Sequence, residues 1–203
     1  MWKDGPRFPN PALEDTLIHR HSIIGDPIVE DAQANRCRRK ALVPGCGRGV
    51  DVLLIASFGY NAYVEEARTS DLYLSNQAVG RGSITFVQAM RSSLDRQFFC
   101  ALSPSLRPEW ALRQTQLLAS NGHLICLEYP RHRDASEMGP PWAVSSEDYR
   151  EHLTHAGEKN SGPQQQIRMV PDRTHENGRD ANGIVQDRVA IWHRCDEGHR
   201  KRY

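Results

Sequence analysis

Apolar residues along this chain fall in short runs separated by polar stretches that carry proline and glycine. In Ala12-Leu-Glu-Asp-Thr-Leu-Ile-His19 they recur at helical spacing, with Asn10 placed to cap the helix and Pro11 in its first turn. Lys40-Ala-Leu-Val-Pro44 predicts a short strand that ends directly in Gly45-Cys-Gly-Arg-Gly49. Val50 to Phe58 is apolar with few breakers and predicts a helix stopping at Gly59. Further strands are predicted at Asn61–Glu65, Ser83–Val87, Gly122–Glu128 and Arg188–His193. Between them, Leu106 to Leu118 sets Leu106, Trp110, Leu117 and Ala111, Leu118 near one face of a helix, with Asn121-Gly122 as its stop. Strands alternating with helices predict an α/β fold whose mainly parallel sheet is covered by helices on both faces. Asp134–Pro141 and Glu158–Gln166 read as loops, and Thr174–Gln186 as polar enough to be mobile. The whole chain, 1–203, reads as one domain: an arm and helix over 1–38, the core over 39–193 and a basic tail over 194–203.

Charge and cysteine content narrow the classes of function. Lys and Arg number 26 against 25 Asp and Glu, so no electrostatic pull toward nucleic acid or an anionic membrane is expected. The basic cluster of Arg194, Arg200, Lys201 and Arg202 reads as a solvated terminus. Five scattered cysteines without a Cys-x-x-Cys pair argue against zinc and for reduced thiols, and hence for a cytoplasmic protein. The start of the chain lacks the apolar stretch of a signal peptide, and no run is long enough to cross a bilayer. His152, His155 and Glu158 have metal-ligand spacing but read as a solvated loop. Arg131-His-Arg133 reads as an exposed loop on the crevice side, after the strand ending at Glu128. Trp110 and Trp192 read as core aromatics, and Cys126 as a small core residue.

The chemistry-bearing feature is the glycine turn. Between a strand and a helix, glycines let backbone approach a ligand unobstructed at the positive end of the helix. Gly45, Gly47 and Gly49 supply this, and an acidic residue about twenty positions on, Glu66 or its neighbour Glu65, stands where ribose hydroxyls are held in Rossmann-like sheets. A dinucleotide fingerprint would place glycine at position 50, where this chain has Val50, and no Gly-Lys-Ser/Thr triplet serves a triphosphate. A ligand without phosphate, such as S-adenosylmethionine (SAM), suits the turn better.

Ala41-Leu-Val-Pro-Gly-Cys-Gly-Arg-Gly-Val-Asp-Val-Leu-Leu54 resembles the thiopurine S-methyltransferase family, nearest to its fungal and plant thiol and halide methyltransferases. Pro9–Leu13, Ala56–Tyr60, Phe98–Leu102, Arg107–Trp110, Leu124–Pro130, Gly139–Trp142, Arg173–Glu176 and Asp187–Val189 follow in the family's order. The resemblance implies a Rossmann-like fold and SAM as cofactor. Gly45 and Gly47 would line its methionine portion, Glu66 would hold the ribose, and Trp2 would pack over it from the N-terminal arm. It implies methyl transfer to a small-molecule acceptor, a thiol or a metabolite intermediate, and no residue is named as catalytic. Aligning a thiolate needs neither metal nor strong base.

The chain departs from the family pattern after Val87. A Gly-Asp-Phe-Phe-like turn, a long insert and a central strand are expected there, and the chain instead runs directly into Phe98. The central strand region is thus expected to be shortened, with Gln97–Leu102 substituting as a short strand or the flanking strands closing up. That departure motivates a second reading, a catalytically inactive relative with a binding or regulatory role. An NAD-dependent oxidoreductase is the third.

Overall fold

The computed structural model describes residues 8–31, 33–44, 46, 48–65, 84–88, 98–119, 122–128, 134, 136–156, 167–179 and 185–196. Helix α1 (Pro11–His19) begins as its sequence predicts, with the Asn10 side chain accepting from the amides of Ala12 at 2.8 Å and Leu13 at 3.4 Å. A single turn, α2 (His21–Ile24), ends at Gly25, whose φ of 75° is open to glycine at little cost. Strands β1 (Ile28–Glu30) and β2 (Arg36–Arg38) then form a separate antiparallel ribbon.

The main sheet starts with β3 (Lys40–Pro44), followed by α3 (Val50–Ser57) and β4 (Asn61–Glu65). Next come β5 (Ile84–Gln88), α4 (Phe98–Ala101), a 3-10 turn at Pro104–Leu106, α5 (Arg107–Leu117) and β6 (His123–Glu128). Helix α6 (Ser146–Thr154) leads to the hairpin β7 (Ile167–Arg179) and β8 (Val185–Asp196). The sheet order is β4-β3-β5-β6-β8-β7, parallel from β4 to β6 and antiparallel through the hairpin. This is the mainly parallel Rossmann-like α/β sheet that the sequence predicts.

Alternation along the strands sorts the core onto two faces. Leu42, Leu124, Cys126, Ala190 and Trp192 meet α4, α5 and α6, whereas Ala41, Val43, Ile125, Leu127, Val189 and Ile191 meet α1 and α3. On the first face Phe99 lies 4.2 Å from Tyr149 in a stack and 4.7 Å from Trp110 edge-on. Arg107, only 3% exposed, lies with its guanidinium carbon 4.7 Å from the centre of the Phe99 ring. It pairs with Asp148 at 3.3 Å and donates to the Ala143 carbonyl at 2.9 Å. A cation this deep is tolerable only because partners meet it.

Five expectations are corrected. The position beyond the switch point is neither vacant nor closed up, because β5 occupies it, paired with β3 on one side and β6 on the other. Two parallel strands buried on both faces leave ladder donors and acceptors that only a third strand can satisfy. Phe98–Ala101, offered as a substitute strand, is helical, and buries Phe99 and Cys100 against α5 and α6. The polar run over Thr174–Gln186 has its described residues, 174–179 and 185–186, in the β7–β8 ladder, where backbone pairing outweighs composition. Helix α5 stops at Leu117, with Leu118 extended at φ −72° and ψ 130° and turned into the core, before the Asn121-Gly122 stop is reached. Arg194, read as tail, lies in β8 and donates to the Leu118 carbonyl at 2.6 Å and the Thr115 carbonyl at 3.3 Å, closing the open end of α5.

Urea unfolding of Phe99→Ala and Arg107→Leu should each show a loss of about 3 kcal/mol. Because the two groups touch, the double variant should lose at least about 0.5 kcal/mol less than the two losses combined. Strict additivity would show that the ring and the guanidinium do not support each other.

Candidate functional site

In an open parallel sheet, ligands bind outside the carboxyl ends of the strands, where the chain reverses its direction of winding. Here the chain goes from β3 outward to β4, then crosses back to β5 on the other side of β3. The switch point therefore lies between β3 and β5, and the segment leaving β3 at that end is the glycine turn. Pro44 and Glu65 are register partners in parallel strands. The described strands β3 and β4 therefore end level with each other at this edge of the sheet. Trp2, Gly45, Gly47 and Glu66 themselves lie outside the described residues.

The described part of the turn is built for backbone approach. Gly49 adopts a φ of 75° and donates to the Cys46 carbonyl at 3.0 Å, and it starts α3 without any side chain capping the helix. No atom lies within 4 Å of where a Cβ on Gly49 would stand, so the positive φ, not crowding, selects glycine there. Asp51, in the first turn of α3, is 5% exposed and faces inward, where its Oδ1 accepts from the Asn10 amide at 2.7 Å. Its charge is used inside the protein, next to a helix N-terminus that favours it.

A second buried acid, Glu128, ends β6 at the same edge of the sheet and is 1% exposed. The Ser146 hydroxyl donates to Glu128 Oε2 and accepts from Arg188 Nη1 at 3.2 Å, and Glu128 and Arg188 are register partners across β6 and β8. Burial pushes the Cys126 thiol and the Tyr149 phenol well up, and the charge of Glu128 adds to both shifts. Both groups are therefore neutral near pH 7 and serve as packing, not as nucleophile or base. Burial also lowers the His152 imidazole, which sits on α6 with its ring 6.3 Å from that of Phe99. Among the described residues no group of three or more His, Cys, Asp or Glu could hold a metal ion, and no helix is long and apolar enough to span a membrane.

Sequence reasoning placed the turn and the acid after β4 but passed over Asp51 and Glu128. A charged residue closing an apolar strand, or one residue inside a helix that follows a glycine turn, was the available signal. Its use depends on burial that sequence does not display.

Residues 83–194 match the family described as thiopurine S-methyltransferase (TPMT), more than half of the chain. The chain belongs to the thiopurine S-methyltransferase family. The match runs from the start of β5 into β8, so it rests on the half of the chain beyond the glycine turn. Relatives similar to it include probable thiol methyltransferase 2 of Arabidopsis thaliana, 34% identical over 139 residues, which are 58% of each chain. Thiocyanate methyltransferase 1 of the same plant is 29% identical over 155 residues, 66% of this chain and 64% of the relative. The chain thus spans about three-fifths of the length of these relatives. Solved structures support the fold. The CcbJ methyltransferase of Streptomyces caelestis superposes with a TM-score of 0.54 at 10% identity, over 94% of this chain and 92% of that one. A Burkholderia thailandensis 1,6-didemethyltoxoflavin-N1-methyltransferase, solved with S-adenosylhomocysteine, gives 0.51 at 12% identity over 90% and 77%.

Asp51→Ala should lower stability by roughly 1–3 kcal/mol in thermal unfolding, because it strands the buried Asn10 amide. Asp51→Asn, which keeps an accepting oxygen, should lose clearly less. Equal losses would mean that the bond to Asn10 contributes nothing beyond charge.

Proposed function

We propose that the protein is a SAM-dependent methyltransferase that methylates a small-molecule nucleophile, with a thiol as the favoured acceptor. The observation that carries this reading is the coincidence of family membership with the placement of the turn. The Gly-Cys-Gly-Arg-Gly segment follows strand β3 at the switch point, beside the strand that leads into Glu66. The site fits a ligand with an amino-acid end and a ribose better than one with phosphates. The uncapped first turn of α3 presents amides to a carboxylate, Glu66 serves the two ribose hydroxyls, and no lysine stands in the turn. Gly45 and Gly47 would admit the methionine portion, and Trp2 would cover the cofactor from the arm. Bound SAM supplies an electrophilic methyl group on a sulfonium. What the protein then contributes is alignment of the acceptor and exclusion of water, since a thiolate is nucleophilic without a base.

The printed names of the plant relatives support the acceptor class, as these are described as thiol and thiocyanate methyltransferases. The relatives lend no support to the catalytically inactive reading, since they are described as methyltransferases, and the sheet position beside β3 is filled by β5, the strand predicted at Ser83–Val87. A cytoplasmic setting fits Cys37, Cys46, Cys100 and Cys126, which take part in no disulfide.

Calorimetry on the purified chain should detect binding of SAM and of S-adenosylhomocysteine, and Glu66→Ala should weaken both by roughly tenfold or more, the worth of one good charged hydrogen bond. A folded wild-type chain that binds neither would sink the proposal, and unchanged affinity in the variant would remove Glu66 from the ribose site.

A further inference from the structure

Glu128 ends β6 and Ser146 begins α6, and the chain between them has its described stretch at 136–145. The two residues are joined directly by the bond from the Ser146 hydroxyl to the Glu128 carboxylate. Glu128 and Ser146 meet at the carboxyl edge of the sheet, the edge at which ligands bind in open parallel sheets. The 136–145 stretch is not loosely held. The Trp142 amide donates to the Cys100 carbonyl at 2.7 Å, and Arg107 holds the Ala143 carbonyl at 2.9 Å. A Cβ on Gly139 would stand 2.5 Å from the Trp142 indole, so the chain folds back tightly on that ring. Ser145 closes the stretch as the cap of α6, exchanging bonds with Asp148, which also pairs with Arg107.

Glu128 is the member of this arrangement whose presence packing alone does not explain. An apolar residue would fill the end of β6 without the cost of burying a carboxylate. The acid gains a hydroxyl donor from α6, and that hydroxyl in turn accepts from Arg188 on β8, so three elements converge on it.

We propose that Glu128 is a positioning residue for the methyl acceptor: by clasping Ser146, with Arg188 behind it, it fixes the 136–145 stretch as a wall of the acceptor pocket at the carboxyl edge of the sheet. This assignment rests on the methyltransferase reading above. The cofactor turn follows β3, two strands away, so the clasp acts on the acceptor side and not on SAM. The carboxylate transfers no proton in this role.

The test compares wild type with Glu128→Ala, Glu128→Gln and Ser146→Ala, using S-adenosylhomocysteine calorimetry, steady-state kinetics with thiophenol as acceptor, and hydrogen exchange. Glu128→Ala should leave S-adenosylhomocysteine affinity within about twofold and raise KM for thiophenol by roughly tenfold, the pattern of lost acceptor binding. Amides in 136–145 should exchange faster at the same time. Glu128→Gln keeps an oxygen for Ser146 and should recover most of the KM and the protection. Ser146→Ala, which spares the core, should reproduce the KM effect if Glu128→Ala fails to fold. The assignment is overturned if KM for SAM and for thiophenol move together, if neither moves, or if Gln does no better than Ala. A wild-type chain that binds no S-adenosylhomocysteine overturns the methyltransferase reading and this assignment with it. Bound cofactor with an unmoved thiophenol KM overturns this assignment alone.

Discussion

The ladders that join β5 to β3 and to β6 are what the rest of this structure depends on. With Lys40, Ala41 and Leu42 in register with Ile84, Thr85 and Phe86, and Phe86 to Gln88 in register with Leu124 to Cys126, one five-residue strand connects the two halves of the sheet. It sets β6 at the distance from β3 at which the apolar residues of both can share the same helices. It also creates the reversal in winding that opens a crevice at the carboxyl ends. Remove it, and both the core and the site lose their geometry together.

The chain reaches this sheet by a route that its family pattern does not predict. The segment counted as the third strand in sequence order is the central strand in space. Local patterning identifies Ile84–Gln88 as a strand but not its neighbours, because partner choice in a parallel sheet is decided by which backbone groups remain unsatisfied after the other strands have paired. The same distinction explains the other differences. Asn10, Pro11, Lys40–Pro44, Val50–Ser57 and Asn61–Glu65 were legible because caps, breakers and apolar runs act within a few residues of one another. Phe98–Ala101 and Leu118 were not, since their conformation answers to the core they share with Trp110 and Tyr149, which local pattern does not display.

Of the candidate site, the turn at Gly45–Gly49 and the acid at the end of β4 were visible from spacing, and the parallel register of Pro44 with Glu65 puts their flanking positions side by side. Asp51, Arg107 and Glu128 were invisible for a common reason. Each is a charge taken inside the protein, against the usual preference for solvent, and only the surrounding fold supplies the partners that make this tolerable. Their positions mark where α1 is tied to α3, α5 to α6, and α6 to β6.

The bond from the Asn10 amide to Asp51 spans forty-one positions of sequence and joins two helix beginnings. Asn10 caps α1, and Asp51 belongs to the first turn of α3, directly after the glycine turn. The first turns of α1 and α3 are therefore held by one shared bond, so that a change at either helix beginning is felt at the other, and by reciprocity what favours one favours its partner.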